Sequence, residues 1–201
     1  MVERWRQQHP LAHLQLRARA ATEEDPGVRL EALGFSAQVC VRGDGEDSAF
    51  VAAFTQGFGF APPDALRTAG DDALLVLWLG PSEWLLVAPE DDGALAERAR
   101  QSLAGCHSAV TDMSDSRVVI RASGDRVREC LSKACSLDLH PRMFQAGMCA
   151  QSLLARTHVL LHQRDDAPTY DLYIHRSFAD YAWRWLEDAA LEYGLDVAAG
   201  T

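Results

Sequence analysis

The chain has 201 residues, 48% of them hydrophobic and 24% charged, with a formal net charge of −10. That is enough for one compact domain or two small ones sharing a core, and an acidic surface of this kind argues against nucleic acid as a partner. The longest apolar run, Ala73 to Gly80, falls far short of the ~20 residues a membrane-spanning helix needs. Arg, Gln and His break up the start of the chain before a signal-like run forms, so the expected compartment is the cytoplasm.

Residues 1–27 read as an N-terminal arm ending in an acidic run and the turn signal Pro26-Gly27. Leu11, Leu14 and Leu16 are placed to pin it to the body or to a partner. "FSAQVCVRGDG" predicts a strand entering a glycine turn. "EDSAFVAAFTQG" predicts a helix capped by Asp47 or Ser48, with Phe50, Ala53 and Phe54 on one face and Gly57 at its end. "ALLVLWLGPSEWLLVAP" predicts a hairpin around Pro81-Ser82 that sets Leu79 opposite Trp84 and Trp78 opposite Leu85.

A helix over "EDDGALAERARQSLAG" follows, then two strands around Ser114-Asp115. "DRVRECLSKAC" predicts a short helix burying Val127, Cys130, Leu131 and Ala134. "CAQSLLARTHVLLHQ" is β-rich, as a tight hairpin or one bent strand, and "YDLYIHR" is another strand. The strongest helix is "SFADYAWRWLEDAALEYG", with Ser177 and Asp180 at capping-box spacing and Gly194 at its end.

The chain also repeats itself. "VCVRGDG" from Val39 matches "VVIRASG" from Val118, an offset of 79 that holds at Arg42 and Arg121 and at Gly45 and Gly124. It holds again where Phe58 to Pro62 stands against Leu137 to Pro141. Further on, "EWLLVAPEDDGALAERARQSL" resembles "DLYIHRSFADYAWRWLEDAAL". The expected fold class is α+β, with two pseudo-symmetric β-α-β-β-α halves, 28–107 and 108–196, sharing one core, and a tail at 197–201.

Chemistry-bearing residues do not assemble into a site. "CSLDLHPRMFQAGMC" holds two cysteines, a histidine and two methionines, but it occupies the Pro-containing link whose first copy carries none of them. The five cysteines, odd in number and without a Cys-x-x-Cys pair, read as small buried hydrophobes. His158 and His162 have helical ligand spacing, but on a strand four residues span roughly 13 Å, too far for one metal. No nucleophile elbow or dinucleotide fingerprint is present. No catalytic, cofactor-binding or metal-ligating residue is assigned. In the last helix the apolar arc is wide enough to reach Trp183, flanked by Ala179 and Ala190; Trp183 either packs under a neighbouring loop or touches another polypeptide, and on the second reading these three are the candidate subunit contact.

The segments "LGPSEWLLVAP", "VTDMSDSRVVIRASGDRVRECLSKACSLDLHPRMF", "GMCAQSLLARTHVLL" and "HRSFADYAWRWLEDAA", with "PLAHL" and "AQVCVRGD", resemble the gamma subunit of heterotetrameric sarcosine oxidase over nearly the whole chain. More distantly, the pattern is similar to the folate-binding part of glycine-cleavage aminomethyltransferases. The resemblance implies a cytoplasmic complex with alpha, beta and delta subunits that oxidatively demethylates sarcosine to glycine, releasing hydrogen peroxide and passing a one-carbon unit to tetrahydrofolate. It implies FAD, covalently bound FMN and NAD in the alpha and beta subunits, zinc in the delta subunit, and no redox cofactor in the gamma subunit, which then acts in assembly. One departure stands out. Where aminomethyltransferases carry folate-holding acids, this chain reads "HVLLHQR", with no carboxylate before Asp165. A folate site is therefore not carried over, and an autonomous folate-binding, aminomethyltransferase-like protein is the alternative.

Overall fold

The computed structural model describes residues 8–16, 26–89 and 92–199. The acidic end of the expected arm and residues 200–201 of the expected tail lie outside them. In chain order the elements are β1 Val28–Ala32, β2 Ser36–Arg42, α1 Ser48–Phe58, β3 Thr68–Gly70, β4 Leu75–Gly80, β5 Glu83–Pro89, α2 Leu95–Ser102 and β6 Ala109–Asp112. Then come β7 Arg117–Ser123, α3 Val127–Ser132, β8 Met148–Leu154, β9 Thr157–Asp165, β10 Thr169–His175, α4 Ala179–Ala190 and β11 Leu195–Ala199. No helix among the described residues is long and apolar enough to cross a membrane.

Two sheets form, a five-stranded one ordered β3-β4-β5-β2-β6 and a six-stranded one ordered β11-β1-β7-β10-β9-β8. Strand alternation divides the apolar side chains into separate layers. Val39, Val41 and Leu86 face α1 and α2, packing with Phe50, Phe54 and Leu95. Ile120, Leu172 and Ile174 face α3 and α4, packing with Leu131, Trp183 and Leu186. Their neighbours Cys40, Leu77, Leu85, Val119, Leu160 and Tyr173 form a third cluster where the sheets meet. The result is an α+β fold with helices outside and two sheets inside.

The register carries the internal repeat. Val39 faces Leu86 across β2 and β5 as Val118 faces Ile174 across β7 and β10. Val41 and Trp84 correspond in the same way to Ile120 and Leu172. The offset is thus 79 in the first strand of each pair and 88 in the second, matching the two stretches that repeat in the sequence. Each half has three strands between its helices, not the two expected, because the short β3 joins the β4–β5 hairpin and β8 joins β9 and β10.

The ranges 28–107 and 108–196 do not coincide with the sheets. β1 lies in the six-stranded sheet beside β7, and β6 lies in the five-stranded sheet beside β2, so each half lends its first strand to the other. The expected tail is also corrected. Its described residues belong to β11, which pairs in parallel with β1 from Leu195 to Ala199. In the arm, Leu11 and Leu16 are buried in the core beneath α4, so the segment 8–16 is pinned to the body.

Three local expectations shift. α1 does not stop at Gly57 but runs to Phe58 and ends at Gly59, whose φ of +88° glycine accommodates without strain. Gly57 instead permits close helix packing, since a Cβ there would lie 2.3 Å from Ser102 Oγ of α2. In the β4–β5 hairpin an irregularity at Leu79 moves the register, so Trp78 faces Trp84 and Leu77 faces Leu85. The capping box of the last helix does not form. A 3-10 turn at Arg176–Phe178 leads into α4 without a side-chain cap, and Asp180 bonds Arg184 and His13 instead.

Candidate functional site

The strands that meet between the sheets also gather the most concentrated polar cluster. Arg121 on β7, Asp171 on β10 and His162 on β9 are direct cross-strand neighbours. Arg121 donates to both carboxylate oxygens of Asp171, Nε to Oδ1 at 2.7 Å and Nη2 to Oδ2 at 2.9 Å. Arg164, two residues beyond His162, donates to Asp171 Oδ2 at 3.2 Å and also pairs with Asp72 in the β3–β4 turn of the other sheet. The cluster opens onto a cavity of about 270 Å³, whose apolar walls include Phe35, Leu75, Val87 and Tyr173.

Its electrostatics favour holding over reacting. Asp171 is 2% exposed and its oxygens are taken by two guanidinium groups, so it has little left to accept a substrate proton. Burial pushes His162 down to about 4, which keeps the imidazole neutral, and its Nδ1 has no partner among the described residues. Burial pushes the Tyr173 phenol well up, away from any acid–base role near neutrality.

The cysteine-rich link resolves as scaffold. All five cysteines are free. Burial raises Cys40 and Cys149 to about 12 and Cys130 to about 11, so none of these three thiols is a ready nucleophile. Cys149 Sγ lies against the carbonyls of Arg67 and Trp78, while His140 is exposed and bonds the Arg142 amide. His158 and His162 stand on β9, a strand, the first exposed and the second buried. Among the described residues no group of three His, Cys, Asp or Glu side chains could hold a metal ion.

The expected contact residues require correction. Trp183, Ala179 and Ala190 are each 0% exposed. The wide apolar arc of α4 is used within the chain: one part packs on the six-stranded sheet, and α3 and the N-terminal segment with Leu11 and Leu16 cover the rest. A hydrogen bond of 2.7 Å from His13 to Asp180 holds that segment against α4. Sequence reasoning missed the Arg121–Asp171–Arg164 cluster. The signal present was Arg121 itself, which repeats Arg42 at the offset of 79, and Arg42 likewise pairs with its cross-strand neighbour Glu83.

The two repeated sheet-and-helix halves define a pseudo-symmetric α+β class. It is shared with glycine cleavage system aminomethyltransferase T from Bartonella henselae, at a TM-score of 0.65 and 12% identity over 95% of this chain and 58% of that one. At that identity the likeness concerns the fold alone. Within the class the placement is specific: residues 42–192 match the model of the sarcosine oxidase, gamma subunit family, and the chain belongs to that family. It is 34% identical to sarcosine oxidase subunit gamma from Arthrobacter sp. over 94% of this chain and 93% of that protein. The subunit from Corynebacterium sp. (strain P-1) is 33% identical over 86% and 84%. A solved heterotetrameric sarcosine oxidase from Corynebacterium sp. U-96, in complex with pyrrole 2-carboxylate, contains a chain that superposes with a TM-score of 0.84 at 32% identity, covering 93% of this chain and 96% of that one.

Proposed function

We propose that this chain is a non-catalytic subunit that supports assembly of a sarcosine oxidase complex with alpha, beta and delta partners. The reaction of the complex is oxidative demethylation of sarcosine to glycine, with hydrogen peroxide formed and the one-carbon unit passed to tetrahydrofolate. The observation that carries the non-catalytic part is the saturation of Asp171 by Arg121 and Arg164. The buried acid of the inter-sheet cluster is committed to holding the fold.

Two features among the described residues support placing the redox groups in other subunits. A dinucleotide phosphate favours a helix start with free amides. At the start of α1 the Asp47 carboxylate accepts from the Ala49 amide, with Asp44 accepting from Glu46 just before it, and these carboxylates repel phosphate. A folate ring needs free acceptors and donors for its edge. β9 offers Leu160, Leu161 and the neutral His162, and the adjacent Asp171 is already paired. The reading therefore places FAD, FMN and NAD in the alpha and beta subunits and zinc in the delta subunit.

Co-expression with the remaining subunits, affinity recovery through a tag on this chain and mass measurement of the complex test the proposal. The expected result is a stoichiometric complex, with no calorimetric signal when a reduced folate is titrated into the isolated chain. Folate binding without partners would favour an autonomous aminomethyltransferase-like protein, and sarcosine turnover by the flavin-free chain would overturn the non-catalytic assignment.

A further inference from the structure

A second cavity, of about 350 Å³, opens where β7 begins and the turn before α4 passes over it. Arg117 and Arg176 line it, together with Ser114, Ser177 and Asp115. Among the described residues neither arginine has a carboxylate within ion-pair distance. Among the described residues the Arg176 guanidinium donates to the Asp115 carbonyl, at 3.3 Å, and its backbone amide to the Ser116 carbonyl. Arg117 Nη1 is buried without a hydrogen-bond partner among the described residues, and so is Ser116 Oγ beside it. Gln38, whose amide donates to the Arg117 carbonyl, carries a third orphaned buried atom, Oε1. Glu83, an acidic group whose field reaches Arg117, is engaged by Arg42 and by Cys40.

A half-buried guanidinium without a counter-ion is costly, and proteins ordinarily pair such charges. Arg121 and Arg164, also half-buried, follow that rule, since both are paired with Asp171. Two arginines against one carboxylate, Asp115, line this cavity on a chain of net charge −10. Aromatic side chains stand exposed on the same stretch: Phe178, the last residue of the turn that carries Arg176, is 47% exposed, and Tyr181, on the first turn of α4, is 38% exposed. Arginine together with exposed aromatics is the composition of interface hot spots, in contrast to the buried Trp183.

We infer that the Arg117–Arg176 cavity, with the exposed Phe178 and Tyr181 that follow Ser177 in the chain, is a docking surface for a carboxylate-bearing segment of a partner subunit. The partner's carboxylate supplies the counter-ion that the described residues lack, and its apolar neighbours cover the two aromatics. The inference rests on the subunit reading above.

The test uses the tagged full chain co-expressed with the other subunits, comparing wild type with Arg176→Gln, Arg117→Gln/Arg176→Gln and, as a control on α2, Arg100→Gln. Wild type and the control are expected to recover the complex equally. The Arg176 variant and the double variant should recover about tenfold less or worse, in line with losing a desolvated charge pair, while the free chain melts as before. If the double variant melts lower, the exposed Arg176 decides alone. Full assembly of both variants beside an assembling wild type overturns the docking surface. Failure of the wild type itself to recover partners instead overturns the subunit reading. A rise in the melting temperature of the free chain in sodium acetate over equal sodium chloride, absent in the double variant, would make the cavity a small-anion site and overturn the partner assignment.

Discussion

Arg121 meets Asp171 across β7 and β10 at 2.7 and 2.9 Å, in the place where the first half sets Arg42 against Glu83 at 3.4 Å. The same pair thus appears twice, once with a buried carboxylate and once at the surface. Asp171 is 2% exposed, whereas the Arg42 side chain is 65% exposed. The two copies should differ sharply in energetic weight. Asp171→Asn leaves Arg121 and Arg164 facing a neutral group and is expected to cost about 3–5 kcal/mol. Glu83→Gln should cost about 1 kcal/mol or less. Urea unfolding of the two variants checks the contrast, and equal losses would refute it.

Trp183→Ala is expected to act on stability. Removing a fully buried indole should cost ~3–5 kcal/mol, with a melting point lower by roughly 10 °C or more. Trp183→Phe should cost less, because the indole Nε1 has no hydrogen-bond partner to lose. Calorimetry on the free chain distinguishes this from a docking role, in which the melting point would stay unchanged.

How much of this was legible in the sequence depends on where the deciding contacts lie. Strands with strong alternation and helices with clear faces were readable, and so was the repeat. β1, β3 and β11 were not, because three to five residues carry too little periodicity and these strands exist by pairing with partners remote in sequence. The breadth of the apolar arc around Trp183 is legible in the sequence, which leaves two meanings open, packing within the chain or contact with a partner, and the structure decides for the first. A wide arc can be covered by a partner or by the chain's own N-terminal segment, and only tertiary structure distinguishes them. The Arg121–Asp171 pair spans fifty positions of sequence and required the β7–β10 register to be seen.

Stability should fall on acidification before any carboxylate titrates in bulk. The pKa of His162 in the fold, about 4, lies below its ordinary 6.5, so the unfolded chain takes up the proton first as pH drops. The contribution is whole above about pH 6.5, is lost between there and about pH 4, and is flat below. Between pH 7 and pH 5 the loss from this residue is roughly 2 kcal/mol. Burial also depresses His9 and His175, which add in the same direction. Urea unfolding across this range should show the slope, and His162→Asn should flatten it. An unchanged slope would remove His162 from the account.

The thiols should be silent in the native chain. With Cys40 and Cys149 near 12 and Cys130 near 11, almost no thiolate exists at neutral pH at these positions. Ellman titration is expected to find five thiols after unfolding without reductant and, before it, slow reaction led by Cys106, which is not fully buried. A missing thiol would indicate a disulfide and contradict the scaffold role.

Gly57→Ala should destabilise the chain, although alanine is ordinarily the better helix former by about 1 kcal/mol. Its Cβ would press on Ser102, and the α1–α2 contact would have to open. Restoration of the melting point by Ser102→Gly in the same chain would locate the conflict.

The positions of β1 and β6 make the two repeated units mutually dependent. Each unit begins with a strand that completes the sheet of the other, so neither completes its own sheet alone. Severing the chain between α2 and β6 should therefore give two fragments that are insoluble apart and fold when mixed.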